Sequence, residues 1–246
     1  MKISVVIPMY NEEKIIADTI KTLNEALERD FGKGEYEAIF VSDGSKDKCL
    51  EIATELCKDN ESLKAIGYEV NRGKGAAVRM GMLEAKGDFI LFTDCDLAYG
   101  VDIIKEFYDE FVKTGSDIVI GSRSKGDGYA GYTLKRKLMS KVYIKYLNLV
   151  AGFKHSDSQC GIKGFSSKAA KDIFSECECD RWAFDLEALM IAGRLGYKVS
   201  EYGAKIINHR ESKIRPIHDA IEMTREVGKI KKREKAKKKA AKKAEK

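Results

Sequence analysis

Five short runs rich in Val, Ile and Phe punctuate the first half of the chain: ISVVIPM, YEAIFVSD, LKAIGYEV, DFILFTDCD and SDIVIGSR. Between them apolar residues recur every three or four positions. This alternation of strand-like and helix-like periodicity restricts the chain to βαβ units. In residues 14–28, for example, Ile15, Ile16, Ile20, Leu23 and Leu27 form one stripe among Lys, Asp, Glu and Asn. Such a helix covers one face of a sheet. Strands apolar on both faces predict a mostly parallel sheet flanked by helices, an α/β fold whose ligands gather at the C-terminal ends of the strands.

Four of those ends are polar: Tyr10-Asn11-Glu12, Asp43-Gly44-Ser45, Asp94-Cys95-Asp96 and Gly121-Ser122-Arg123. All are predicted along one edge. Past residue 125 the rhythm gives way to a Gly-rich loop (GDGYAGY), a basic amphipathic segment (134–153), a polar turn with a short strand (DSQCGIKGF) and two helical patterns, read as an elaboration of the same domain. That places one domain over residues 1–217 and a basic tail, helical or disordered, over 218–246. A chain of 246 residues, 43% hydrophobic, can bury a full core.

The formal charge is +6, but residues 229–246 hold eleven Lys/Arg and two Glu, a contribution of +9 that leaves −3 for the rest. The basicity therefore belongs to the tail, and no nucleic-acid partner is expected. No apolar run approaches the ~18 residues that span a bilayer, and MKISVVIPMYNEE has no signal-peptide core, so an intracellular, cytoplasmic protein is expected. Cys49, Cys57, Cys95, Cys160, Cys177 and Cys179 include no C-x-x-C pair. Reduced thiols follow, and a zinc site at Cys177 and Cys179 lacks companion ligands.

Asp94 and Asp96, read as the end of a strand, project to the same side with Cys95 opposite. Two carboxylates about 4 Å apart repel by roughly 4 kcal/mol at an effective dielectric of 20. A proton, an arginine or a divalent cation compensates, and hard oxygen ligands select Mg²⁺ or Mn²⁺. Alone, such a pair is a solvated turn or helix cap; its place among polar strand ends favours the cation. A cation there serves phosphate, which points to a nucleotide substrate. NRGKGAAVR lacks the P-loop spacing and the first βα turn lacks G-x-G-x-x-G. Asp43 suits a base or ribose, or caps a helix; Lys74 reaches phosphate, or is solvated.

Taken in order, VVIPMYNEE, VSDGSKD, NRGKGAAVRMGMLEAKGD, FTDCDLA and GSR resemble the family-2 glycosyltransferases of GT-A fold that load a sugar onto polyprenyl or dolichyl phosphate, over roughly residues 2–215. DSQCGIKGFSSKAAKDIF and RWAFDLEAL are similar to the dolichyl-phosphate glucosyltransferase branch more than to the mannose-transferring one. The resemblance implies that Pro8, Tyr10, Glu12, Asp43, Lys74, Asp94 and Cys95 surround the nucleotide-sugar. Asp94 and Asp96 then hold the cation on its diphosphate. Arg123 and Arg136 take the acceptor phosphate, a task suited to the guanidinium fork. Asp157 and Gln159 face the reaction centre. Trp182 and Asp185 build the acceptor side, Trp182 being equally readable as core. Ser212 and Lys213 fall in NHRESKI, a shorter loop than in the relatives, which leaves their acceptor roles in doubt.

The reaction so implied is metal-dependent hexosyl transfer with inversion. UDP-glucose is the favoured donor and GDP-mannose the alternative. A phosphate monoester has a second pKa of about 6, so the acceptor is already an anion at neutral pH and no strong base is required. Asp157 then orients the acceptor. The stripe Leu138, Val142, Tyr146 and Leu149, with Lys135, Lys141 and Lys145 elsewhere, is the pattern of an interfacial helix or of one packed on the domain. With the basic tail it predicts peripheral attachment to an anionic membrane surface. The competing readings are another acceptor on the same fold and an inactive nucleotide-sugar-binding protein with a basic docking tail.

Overall fold

The structure is a computed structural model that describes residues 1–125, 142, 144–146, 149, 152, 155–208 and 216–244. Its described elements alternate as the sequence pattern requires: β1 (Ile3–Met9), α1 (Ile16–Phe31), β2 (Tyr36–Asp43), α2 (Cys49–Cys57), β3 (Leu63–Tyr68), α3 (Lys74–Glu84), β4 (Phe89–Phe92), α4 (Asp102–Thr114) and β5 (Ile118–Ser122). Then follow β6 (Lys163–Ser166), α5 (Ser167–Phe174), α6 (Phe184–Leu195), β7 (Val199–Gly203) and α7 (Pro216–Ala244). The sheet order is β3-β2-β1-β4-β6-β5-β7. Among the described strands only β6 is antiparallel, inserted between β4 and β5.

Period-two alternation divides the core into two layers. Val5, Ile7, Phe89 and Leu91 face α1, α2 and α4, whereas Val6, Ile90 and Phe92 face α3, α5 and α6. Both faces of the central strands are apolar because both are covered by helices. The second layer also takes Val227 and Ile230 of α7, each 1% exposed. Arg194 on α6 reaches Glu234 at 2.7 Å, and Arg233 pairs with the fully buried Glu187. Helix α7 is therefore docked on the domain over this stretch. Among the described residues no helix is long and apolar enough to cross a membrane.

Candidate active site

The site begins where two strands part. β1 pairs with β4 only from Ile3 to Val6, against Phe89 to Phe92. The Val6 carbonyl still accepts the Thr93 N–H at 3.1 Å, but beyond it β4 leaves the sheet. Pro8 faces the same way two residues on, and its missing N–H costs nothing where the neighbouring strand has ended. With β2 on one side of β1 and β4 on the other, this is the switch point of the topology. The loop after β1 latches to that after β2: Asn11 Oδ1 accepts the Lys46 N–H at 2.8 Å, and Glu13 N–H donates to Asp47 at 2.9 Å. Tyr10 stands exposed on this rim and Glu12 is half-buried.

Asp94 and Asp96 are not strand residues. β4 ends at Phe92, and the chain turns at 94–97, with Leu97 N–H donating to the Asp94 carbonyl at 3.0 Å. The orientation of the two carboxylates is therefore set by this turn and not by strand alternation. Cys95 does point inward: it lies in the α1-side core layer, and burial pushes its thiol up to about 12. Its side chain is thus not on the rim. The Asp94 carboxylate pairs with the Lys74 ammonium and abuts Gly161, where any Cβ would collide with it. Asp96 accepts the Ala98 N–H at 3.1 Å. Burial pulls the Lys74 ammonium down, but the carboxylates of Asp94, Asp185 and Asp96 outweigh it and hold it above the ordinary lysine value.

Lys74 is presented by a clamped loop. Asp43, 4% exposed, accepts from Tyr68 Oη at 2.7 Å, Asn71 Nδ2 at 2.8 Å, Arg72 N–H at 2.9 Å and Gly73 N–H at 2.9 Å. Its carboxylate is spent on shaping residues 71–73, closer to the helix-capping reading than to an open base contact. From the other side, Asp180 takes Arg72 and Arg79, and its carbonyl accepts the Ala76 N–H at 3.1 Å. Gly73 and Gly75 allow this bridge to lie directly on the loop.

On the far side, Arg123 and Asp157 hold each other. Arg123 Nε lies 2.6 Å from Asp157 Oδ2 and its terminal nitrogen 2.9 Å from Oδ1, with Asp157 fully buried. Burial opposes the guanidinium charge, but this two-point contact keeps Arg123 charged. Its fork faces a carboxylate of its own chain rather than standing open for phosphate. Gln159 N–H donates to Asp157 at 3.2 Å. Trp182 precedes α6 and is 42% exposed, so the core reading does not hold. Asp185, in the first turn of α6, receives Lys163 at 2.7 Å. Lys163 was not singled out by the sequence pattern, although a lone charge inside CGIKGF was the signal. Arg136, Ser212 and Lys213 lie outside the described residues.

A family model described as "Glycosyl transferase family 2" matches residues 4–174. The chain belongs to glycosyl transferase family 2. It is 35% identical over 208 residues to a dolichyl-phosphate beta-glucosyltransferase of Trichomonas vaginalis, covering 81% of this chain and 64% of that one. It is 32% identical over 243 residues to the dolichyl-phosphate beta-glucosyltransferase of Dictyostelium discoideum, covering 93% and 73%. The chain thus spans 64% to 73% of the length of these relatives. Its fold matches the crystal structure of glucosyl-3-phosphoglycerate synthase from Mycobacterium tuberculosis in complex with Mn²⁺, uridine diphosphate and phosphoglyceric acid, at a TM-score of 0.67 and 20% identity, covering 93% of this chain and 76% of that one. The mostly parallel sheet with one inserted antiparallel strand is the GT-A arrangement.

In this family-2 chain the donor chemistry of the turn suits a hard divalent cation: two carboxylates already draw an ammonium to themselves. Among the described residues no group of three or more His, Cys, Asp or Glu is placed to hold a metal ion by itself. A cation held by Asp94 and Asp96 would complete its coordination with diphosphate and water, as Mg²⁺ commonly does.

Proposed function

We propose that the chain is an inverting hexosyltransferase that moves glucose from UDP-glucose to dolichyl or another polyprenyl phosphate. The observation that carries this reading is the meeting of Asp94, Asp96 and Lys74 at the β1/β4 switch point. There two carboxylates and a lysine on a helix N-terminus lie close together. The relatives' names supply the sugar and the lipid. When bound, Mg²⁺ or Mn²⁺ would neutralise charge on the departing diphosphate. Lys74 would hold the diphosphate beside it, and the 155–161 turn, built on the Arg123 and Asp157 pair, would shape the acceptor side. An anionic acceptor phosphate attacks without a general base, so the protein's part is orientation and charge stabilisation.

Peripheral attachment to an anionic membrane fits the described part of segment 142–149. Ile144 is 5% exposed, while Val142, Tyr146 and Leu149 are 62%, 42% and 79% exposed on the opposite face. Ile144 packs inward, and the apolar stripe turned outward supports an interfacial role for the opposite face.

The test is incubation with radiolabelled UDP-glucose or GDP-mannose and a short polyprenyl phosphate, with and without chelator. Lipid-linked glucose is expected only with UDP-glucose and metal. Asp94→Ala and Asp96→Ala should each lower turnover at least about 100-fold with an unchanged circular dichroism spectrum. Metal-independent transfer, or mannose as the preferred sugar, would refute the reading.

A further inference from the structure

Lys163 is a fully buried cation on the antiparallel strand in the middle of the sheet. Its ammonium donates to Asp185 Oδ1 and to the Cys160 carbonyl, each at 2.7 Å, and sits 5.7 Å from the centre of the Phe92 ring. Burying a charge costs several kcal/mol before any partner is counted, and an apolar residue of similar volume commonly replaces such a pair without loss. Stability alone is therefore a weak reason to keep a lysine here. The two partners suggest a better one. Cys160 precedes Gly161, which packs against the Asp94 carboxylate, and Asp185 is within electrostatic reach of Lys74.

The charges thus alternate across the floor of the site: Lys163, Asp185, Lys74, then Asp94 with Asp96 beyond. Lys74 is bonded to Asp94 and also feels the field of the Asp185 carboxylate. The geometry points to Lys163 as a positioning residue that satisfies Asp185 from below, so that Lys74 remains at Asp94, on the cation and diphosphate side. This inference rests on Asp94 and Asp96 as the cation's ligands. Without Lys163, the unpaired Asp185 draws Lys74 away. Two effects of opposite sign follow. Asp94, freed of its ammonium, binds a divalent cation more tightly, while the donor loses the lysine that should hold its diphosphate.

The experiment reads Mn²⁺ binding to the full chain by loss of the free-ion electron paramagnetic resonance signal, with and without UDP, beside sugar transfer. Lys163→Met should tighten Mn²⁺ binding in the absence of UDP about tenfold, or about 1.4 kcal/mol, while transfer falls at least tenfold. General damage to the site would move both downward, and that result, or no change in Mn²⁺ binding, overturns the inference. Lys163→Met with Asp185→Asn, which also lacks the competitor, should lose that tightening and bind Mn²⁺ no better than the wild type. Asp185→Asn alone keeps an acceptor for Lys163 but removes the competitor for Lys74, so it should weaken Mn²⁺ binding. Unchanged or tighter binding there overturns the inference even if Lys163→Met does not fold. If the wild type binds no Mn²⁺ even with UDP, the reading of Asp94 and Asp96 falls first and takes this one with it.

Discussion

Arg123 and Asp157 stand 34 positions apart and meet as a buried two-point ion pair. Removing one partner of such a pair leaves an uncompensated charge, which typically costs about 3–5 kcal/mol. Asp157→Asn should therefore lower the free energy of unfolding by about 3 kcal/mol in urea titration, the low end because the amide still accepts one bond. Arg123→Met with Asp157→Leu should recover most of that stability without restoring transfer. The residue types at this site were legible in the sequence because carboxylates and lysines at strand ends are unusual. Their pairing was not, since pattern carries no information about which of two distant charges faces inward. Arg123 and Asp157 each read as facing substrate, and Asp43 as a base or ribose contact or a helix cap; each is largely engaged by its own chain. Lys163 escaped notice for a related reason: flanked by Ile162, Gly164 and Phe165, it reads as an interruption rather than a ligand.

At the level of elements, the five strands with continuous apolar runs could be read directly, because burial on both faces demands such runs. The four-residue β6 could not be placed, since its insertion between β4 and β5 depends on pairing partners far along the chain. β7 shows how such late elements serve the site. Its Glu201 accepts Ser156 N–H at 2.6 Å and Ser156 Oγ at 2.7 Å and pairs with Lys125 at 2.8 Å, fixing the turn that bears Asp157. Burial pushes the Glu201 carboxyl up, but His155, Lys125 and Ser156 outweigh it and hold it well below the glutamate value of 4.5. Its contribution is therefore complete above that value and declines as pH falls toward the depressed one. Glu201→Gln should be less stable than wild type by about 1–2 kcal/mol at pH 7, and the gap should narrow as pH falls below 4.5. Urea titrations across that range measure it. Helix α7 read from the sequence as helical or disordered, and not as docked, since Val227 and Ile230 are a faint stripe among lysines. A chain ending at residue 237 should keep wild-type stability. One ending at 228 loses Ile230 and strips Glu187 of Arg233, and should lose about 4 kcal/mol or more.

Across the whole molecule, the same helix separates two roles. Its inner side chains belong to the fold, while Lys231, Lys232, Lys235, Lys238, Lys239 and Lys243 are exposed. The proposed membrane attachment would then have two physically distinct contributions that ionic strength can tell apart. Lysines near an anionic leaflet contribute up to about 1 kcal/mol each, and this attraction fades as salt shortens the screening length to about 3 Å at 1 M. The outward face of Val142, Tyr146 and Leu149 acts by removing apolar surface from water, which salt does not weaken. Co-sedimentation with anionic liposomes should therefore show a crossed pattern. At low salt both the chain ending at 237 and the variant Val142→Ser, Tyr146→Ser, Leu149→Ser bind more weakly than wild type. The truncation removes the exposed Lys238, Lys239 and Lys243, worth up to about 3 kcal/mol, or roughly 150-fold in partition. At high salt the truncation becomes indistinguishable from wild type, while the serine variant remains impaired. Equal salt sensitivity of the two defects would mean that the apolar face does not enter the bilayer and that attachment is electrostatic alone.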